Sequence, residues 1–143
     1  MTINLESMHK FLEVYNQMCR PLCQEMDMPQ TAFDILMFFG NNPQYKTAAD
    51  LVKIRGIKAN LVSVHVERLV QEGYLKRNPV PGDRRKYELE CTSKAEQIWE
   101  RGREVQEEFF EKLFCGVTPE ERQIYEKVIR QMENNLNKGQ KRS

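Results

Sequence analysis

Ten basic residues stand between Thr47 and Lys94 against six acidic ones, although the whole chain, with 22 Lys and Arg and 21 Asp and Glu, balances at +1. The densest group, Arg84-Arg85-Lys86, follows Pro81-Gly82-Asp83, and Lys53, Arg55, Lys58, Arg68 and Arg77 lie upstream of it. A basic middle between acidic flanks suits an anionic partner, and a sign asymmetry of this kind is hidden by the overall balance. Cysteine and histidine chemistry is thinner. Cys19 and Cys23 sit one helical turn apart, Cys91 and Cys115 are isolated, and His9 and His65 are far apart in sequence. With no Cys-x-x-Cys and no clustered histidines, no metal site is expected. The chain also lacks a Gly-rich phosphate loop and a nucleophile elbow, so neither an enzyme nor a bound cofactor is expected.

The 143 residues correspond to one domain, long enough to bury a core without disulfide or metal staples. Five Tyr, seven Phe and one Trp, with so small a net charge, exclude a disordered chain. No apolar run approaches ~18 residues, so no membrane span is expected. The first ten residues lack a basic segment followed by an apolar one, and no secretory signal is expected. A soluble, cytoplasmic protein with reduced thiols is the resulting expectation.

The elements that must position these residues are mostly helical. Leu5, Met8, Leu12, Tyr15, Cys19, Leu22 and Met26 recur at spacings of three and four, the stripe of an amphipathic helix, with a kink expected at Pro21. Asp27 is expected to cap a second helix, with Gln30 three residues on, and Gly40 to end it. Thr47-Ala48-Ala49-Asp50 reads as a capping box for a short helix stopping at Gly56. A fourth helix is predicted from about Lys58 to Glu72, with Gly73 just past its end. Its inner face is predicted to carry Ala59, Val62, Val66, Leu69 and Val70, and its outer face Asn60, Leu61, Val64, Glu67 and Arg68. Two short strands, 74–78 and 86–91, flank a basic connection over 79–85. Thr92 and Ser93 open a long helix, and Gly116-Val117-Thr118-Pro119 breaks and restarts the chain into a last helix reaching about Lys138. The tail 139–143 has no apolar anchor and is expected to fray.

Helix, turn, helix and hairpin in this order form a winged helix-turn-helix. From Thr47 to Ala95 the sequence resembles the MarR (multiple antibiotic resistance regulator) family of bacterial transcription factors. Leu51 and Gly56, then Val62, Val66 and Leu69, then Gly73, Arg77 and Pro79, Asp83-Arg84-Arg85, and finally Thr92 and Lys94 carry the likeness. The resemblance implies a mainly α fold with a small β wing. The winged helix-turn-helix spans residues 30–95, flanked by dimerisation helices over 1–28 and 96–139, the whole of 1–143 being one protomer. It implies a homodimer that binds double-stranded DNA and regulates transcription, most simply as a ligand-responsive repressor on a pseudo-palindromic operator.

Base readout then falls on the outer face of the fourth helix. The Asn60 amide can both donate to and accept from adenine, and Leu61 and Val64 can touch thymine methyls. The competing reading makes these two ordinary exposed residues or part of a wider buried stripe. Arg68 is expected at a phosphate or a guanine, or else paired with Glu72 or Glu67. Thr47, Ser63, Lys53, Arg55 and Arg77 complete the expected contact surface. By resemblance, Arg85 enters the minor groove while Asp83 holds its guanidinium, with Arg84 and Lys86 at the phosphates. Two positions depart from the family pattern: Lys58 replaces a small hydroxyl cap, and Val64 replaces a polar side chain, so base preference does not transfer. The resemblance further suggests a pocket for a small aromatic or phenolic effector, with Phe11, Tyr15, Met18, Phe33, Met37 and Phe38 as candidate lining or, alternatively, as core. Cys19 and Cys23 are the candidate thiols for redox sensing, which needs a lowered thiol pKa. A winged helix used for protein–protein contact is the alternative function.

Overall fold

The computed structural model describes residues 4–140 and contains six α-helices and one hairpin among them. The chain divides into two compact units, with the boundary between residues 107 and 108.

In the first unit, α1 (Leu5–Glu25) opens with Asn4 accepting from the Glu6 backbone N–H and runs as one helix through Pro21. It ends in a Schellman turn. The Met28 N–H bonds the Cys23 carbonyl and the Asp27 N–H bonds the Gln24 carbonyl, with Asp27 in the left-handed region at φ 49°. Asp27 therefore terminates α1 and does not cap the next helix, which starts after Pro29 without a side-chain cap. That helix, α2 (Gln30–Asn41), is the centre of the unit. Ala32, Phe33, Ile35, Leu36, Met37, Phe38 and Phe39 are all buried, so its apolar surface nearly encircles it. Gly40 lies inside α2 and is not its terminator. A Cβ there would fall within the Trp99 indole, so glycine is required for close approach of two elements.

The Thr47–Asp50 capping box forms as expected and opens α3 (Ala48–Asp50), which continues as a π-helical turn over Leu51–Arg55. Gly56, at φ 80°, ends it. Helix α4 (Ala59–Gln71) buries Val62, Val66 and Leu69, whereas Ala59, expected on the inner face, is exposed at the first turn. Gly73 follows α4 in the left-handed region. The hairpin β1 (Leu75–Val80) and β2 (Asp83–Cys91) is longer than the sequence predicts, and only Pro81 and Gly82 form its turn. Leu75 to Pro79 pair in regular antiparallel register with Cys91 to Tyr87, after which Val80 pairs directly with Asp83. Arg84, Arg85 and Lys86 are thereby extra residues on β2, a bulge opposite the Pro79–Val80 step. Helix α5 (Ser93–Leu113) follows, its first turn bonded to the Thr92 hydroxyl and carbonyl.

In the second unit, Thr118 and Glu121 exchange bonds in a capping box and start α6 (Pro119–Gln140). Gly139 and Gln140, expected in the frayed tail, belong to this helix; positions 141–143 lie outside the described residues. Phe114 meets Tyr125 edge-on at 5.7 Å, and the Arg122 guanidinium covers Phe114 at 4.4 Å.

Candidate nucleic-acid interface

The outer face of α4 is open. Asn60, Leu61, Ser63, Val64, Glu67 and Arg68 are exposed, and the apolar Leu61 and Val64 present 40% and 64% of their surface. The inner stripe of Val62, Val66 and Leu69 anchors the opposite side, so the wider buried stripe does not occur. At the N-terminus of α4, Lys58 is the cap residue and makes no side-chain capping bond. The first backbone N–H groups of the helix therefore lack a side-chain acceptor from their own cap and carry the positive end of its dipole.

Two elements fix the far end of α4. The Lys94 ammonium donates to the Glu72 carbonyl at 2.7 Å while lying 4.3 Å from the centre of the Tyr74 ring. The Thr92 hydroxyl donates to the Gly73 carbonyl at 2.6 Å. A cation against the last carbonyls of a helix complements its dipole. Thr92 and Lys94, just after the second strand, thus lock α4 to the root of the hairpin.

Several basic side chains expected at an anion are already engaged. Arg68 donates to Glu72 Oε1 at 2.8 Å and to the Asp27 carbonyl at 3.4 Å, so the expected pairing along α4 is the one found. Arg77 reaches from β1 to Glu67 Oε2 at 2.5 Å and ties the wing to α4. The charged partner holds the Glu67 carboxyl below its ordinary range, the hydrogen bond from Arg77 being the main cause. Arg55 approaches Asp34 at 3.6 Å. The Thr47 hydroxyl donates to Asp50 Oδ2 at 2.8 Å and accepts from the Asp50 N–H at 3.2 Å, which occupies it within the cap.

The cations at the wing tip differ. Arg84, Arg85 and Lys86 are exposed, and among the described residues no ion pair joins any of them to a carboxylate. Asp83 Oδ1 accepts from the Arg85 backbone N–H at 2.9 Å, so Asp83 holds the main chain of the bulge where a grip on the guanidinium was expected. The site is therefore a helix face with one amide and two apolar contacts, beside a hairpin whose bulge projects three unpaired cations.

The other candidate residues separate. Phe33, Met37 and Phe38 are core side chains, Tyr15 and Met18 are half-buried, and Phe11 is exposed. The all-round burial of α2 draws its aromatics inward. The Tyr15 hydroxyl accepts from Gln106, which accepts from Asn41, whose Oδ1 in turn accepts from the Trp99 indole N–H at 2.8 Å. Cys19 and Cys23 are buried, and desolvation raises both thiols, Cys23 to about 11. A thiolate at neutral pH is thereby disfavoured at both positions. Among the described residues no group of three or more His, Cys, Asp or Glu is placed to hold a metal ion, and no helix is long and apolar enough to cross a membrane. Sequence reasoning missed the bidentate pair between Arg101 and Glu25, at 2.6 and 3.1 Å, which joins α5 to α1 across 76 positions.

The MarR family model matches residues 26–86, which run from the end of α1 to the basic bulge. Among solved structures, a MarR family transcriptional regulator from Listeria monocytogenes complexed with a 26mer DNA superposes with a TM-score of 0.85 at 17% identity, covering 95% of this chain and 90% of that one. A MarR protein from Peptoclostridium difficile gives 0.80 at 21% identity, covering 97% and 94%. A mutant MarR from E. coli complexed with operator DNA gives 0.70 at 19% identity, covering 89% and 91%. No curated protein matches the chain. The winged helix at residues 26–86 is thus a MarR-family region, carried within a fold that solved MarR-family structures share along nearly their whole length.

Proposed function

We propose that the chain is a sequence-specific DNA-binding transcriptional regulator that acts as a homodimer, represses, and releases its operator on binding a small effector. The observation that carries this reading is the open face of α4, with Asn60, Leu61 and Val64 exposed beside the unpaired Arg84-Arg85-Lys86 bulge. A helix buried on one side and studded on the other with an amide and two apolar groups fits a major groove. An arginine on a narrow hairpin fits the minor groove next to it. The phosphate role falls to Arg84, Lys86, Lys53 and the open N-terminus of α4 with Lys58, whereas Arg68, Arg77 and Thr47 mainly hold the reading elements in place.

Dimerisation is supported by two exposed apolar stripes, one on each of two helices. Leu5, Met8 and Leu12 on α1 are exposed, as are Ile124, Val128, Met132 and Leu136 on α6, with Leu5 at 68% and Leu136 at 71%. Such stripes are wasted on a solvated monomer. A two-fold dimer sets its recognition helices about 34 Å apart and calls for a pseudo-palindromic site.

Titration against the DNA upstream of the chain's own reading frame at several salt concentrations tests the reading. Affinity is expected to fall with salt by about 0.9 log units per log unit of salt for each phosphate neutralised. Arg85→Ala is expected to weaken binding, and Asn60→Ala to relax the choice of sequence. Equal affinity for scrambled DNA refutes the proposal.

A further inference from the structure

On the side of the wing bounded by α5, a cleft of about 650 Å³ opens between the end of α2, the hairpin and the first turns of α5. Its chemistry is unlike that of the basic surface. Four carboxylates line it, Glu88 and Glu90 from β2 and Glu96 and Glu100 from α5, with Lys46 as the one cation among its lining residues. All four are exposed. Glu90 accepts from the Asn78 amide at 2.8 Å, while Glu88, Glu96 and Glu100 have no hydrogen bond or ion pair to a side chain among the described residues. Below this rim the lining is aromatic: Phe39 is buried, and Tyr45 and Trp99 are half-buried.

The aromatic wall is held in place before any ligand arrives. Gly40 leaves room for the Trp99 indole against α2, Asn41 accepts the indole N–H at 2.8 Å, and the Arg103 guanidinium lies 5.1 Å from the ring centre. Tyr45 stacks on Phe38 with ring centres 5.6 Å apart and planes 14° from parallel. The Leu89 N–H bonds the Lys46 carbonyl at 2.6 Å, which fixes β2 to the loop that closes the cleft. Aromatic surface in a concave site supplies apolar contact and attraction to a cation through the ring quadrupole. A carboxylate rim adds charge attraction for a cation and repels a carboxylate or phosphate.

We infer that this cleft is a binding site for a small organic cation, an aromatic or alkyl amine or a quaternary ammonium, held by Trp99 and Tyr45 under the Glu88, Glu96 and Glu100 rim. The chemistry runs opposite to that of an aromatic acid or phenol as effector. One wall of the cleft is β2, the strand that also carries the Arg84-Arg85-Lys86 bulge. An effect of the cation on DNA binding rests on the regulator reading above; its binding does not.

Trp99 is the single tryptophan of the chain, so its fluorescence reports the cleft directly. The full chain is titrated, without DNA, with benzyltrimethylammonium, with neutral neopentylbenzene of similar shape, and with benzoate. The expected result is a saturable change with the ammonium alone, weakening as salt is raised. Replacing the three free carboxylates together, Glu88→Gln, Glu96→Gln and Glu100→Gln, is expected to lower ammonium affinity about tenfold. Lys46→Met, which removes the one cation among the lining residues of the cleft, is expected to raise it about twofold, a change of opposite sign that misfolding does not produce. Equal binding of the neutral analogue, tighter binding of benzoate, or unchanged affinity in both variants overturns the inference. Because no arm of the test contains DNA, its failure leaves the operator titration standing, and failure of that titration leaves this one standing.

Discussion

Replacing Gly40 by alanine tests how the fold brings α2 and α5 together. At an unconstrained helical site the change stabilises by roughly 0.5–1 kcal/mol, because alanine loses less backbone freedom on folding. Here the new Cβ would lie inside the Trp99 indole, on atoms Cδ1, Nε1 and Cγ. The ring has little freedom to retreat, being bonded to Asn41 and covered by Arg103. Forcing a methyl into such a contact costs ~1–3 kcal/mol, and losing the indole hydrogen bond adds about 1 kcal/mol. The net expectation is a loss of about 2 kcal/mol, which lowers the unfolding midpoint by ~6 °C for a chain of this size. Thermal unfolding followed by circular dichroism at one fixed protomer concentration measures it. Gly102→Ala serves as a contrast: its Cβ meets the flexible Met37 thioether, and the drop is expected to be smaller. In a Trp99→Ala background, which removes the ring atoms that the new Cβ would meet, Gly40→Ala is expected to recover at least ~1 kcal/mol. A higher midpoint in Gly40→Ala, or strict additivity with Trp99→Ala, refutes the close-approach argument.

Other substitutions and conditions read other parts of the molecule. Glu67→Gln removes the carboxylate that holds Arg77 and stands on the outer face of α4; DNA affinity is expected to rise for all sequences, measured by the same titration, with the unfolding midpoint little changed. Thr47→Ala breaks a capping box in which both reciprocal bonds are present and is expected to cost ~1 kcal/mol in a denaturant melt. Cys115 is exposed whereas Cys19 and Cys23 are buried, so a disulfide reagent at pH 8 is expected to titrate Cys115 at once and the other two only as the chain unfolds. Burial pushes the Cys23 and Cys91 thiols from 9.0 up to about 11, so the folded chain holds these protons more tightly than the unfolded one. That contribution is intact below pH 9 and is lost as pH rises through 11. The melting midpoint is expected to decline over this window and to decline less in Cys23→Ala/Cys91→Ala.

Local patterns were readable wherever one residue type has one main structural use. The Thr47–Asp50 and Thr118–Glu121 boxes, the left-handed Gly56 and Gly73, and the two faces of α4 follow from capping, backbone freedom and a 3.6-residue period. Misreadings arose where two uses compete. Asp27 is a good N-cap and also one of the few residues that tolerate positive φ, and the Schellman turn of α1 took the second. Gly40 suits a helix terminus and equally a close helix contact, and only Trp99, 59 positions away, decides between them. For the hairpin, Pro81-Gly82 marked the turn, but a bulge leaves no periodic trace, so Arg84 to Lys86 read as loop. At the candidate interface, exposure of Leu61 and Val64 was predicted from face assignment alone. The engagement of Arg68, Arg77 and Thr47 was not, because a formal charge does not state its partner. The acidic cleft escaped notice for the same reason: Glu88, Glu90, Glu96 and Glu100 lie on two elements whose meeting is a tertiary fact.

Among the described residues the hairpin has two strands, and apart from the Leu89 N–H, which bonds the Lys46 carbonyl, no third strand pairs with its edges. Bare ribbon edges invite a neighbouring molecule to add its own strand and begin a growing stack. The bulge disrupts the ladder near the tip, and three like charges there repel the tip of any second copy. The side chains that the proposed function offers to DNA are therefore also the ones that keep these ribbons apart in its absence. Neutralising them would favour self-association of the ribbons, and strong screening by salt would push the same way.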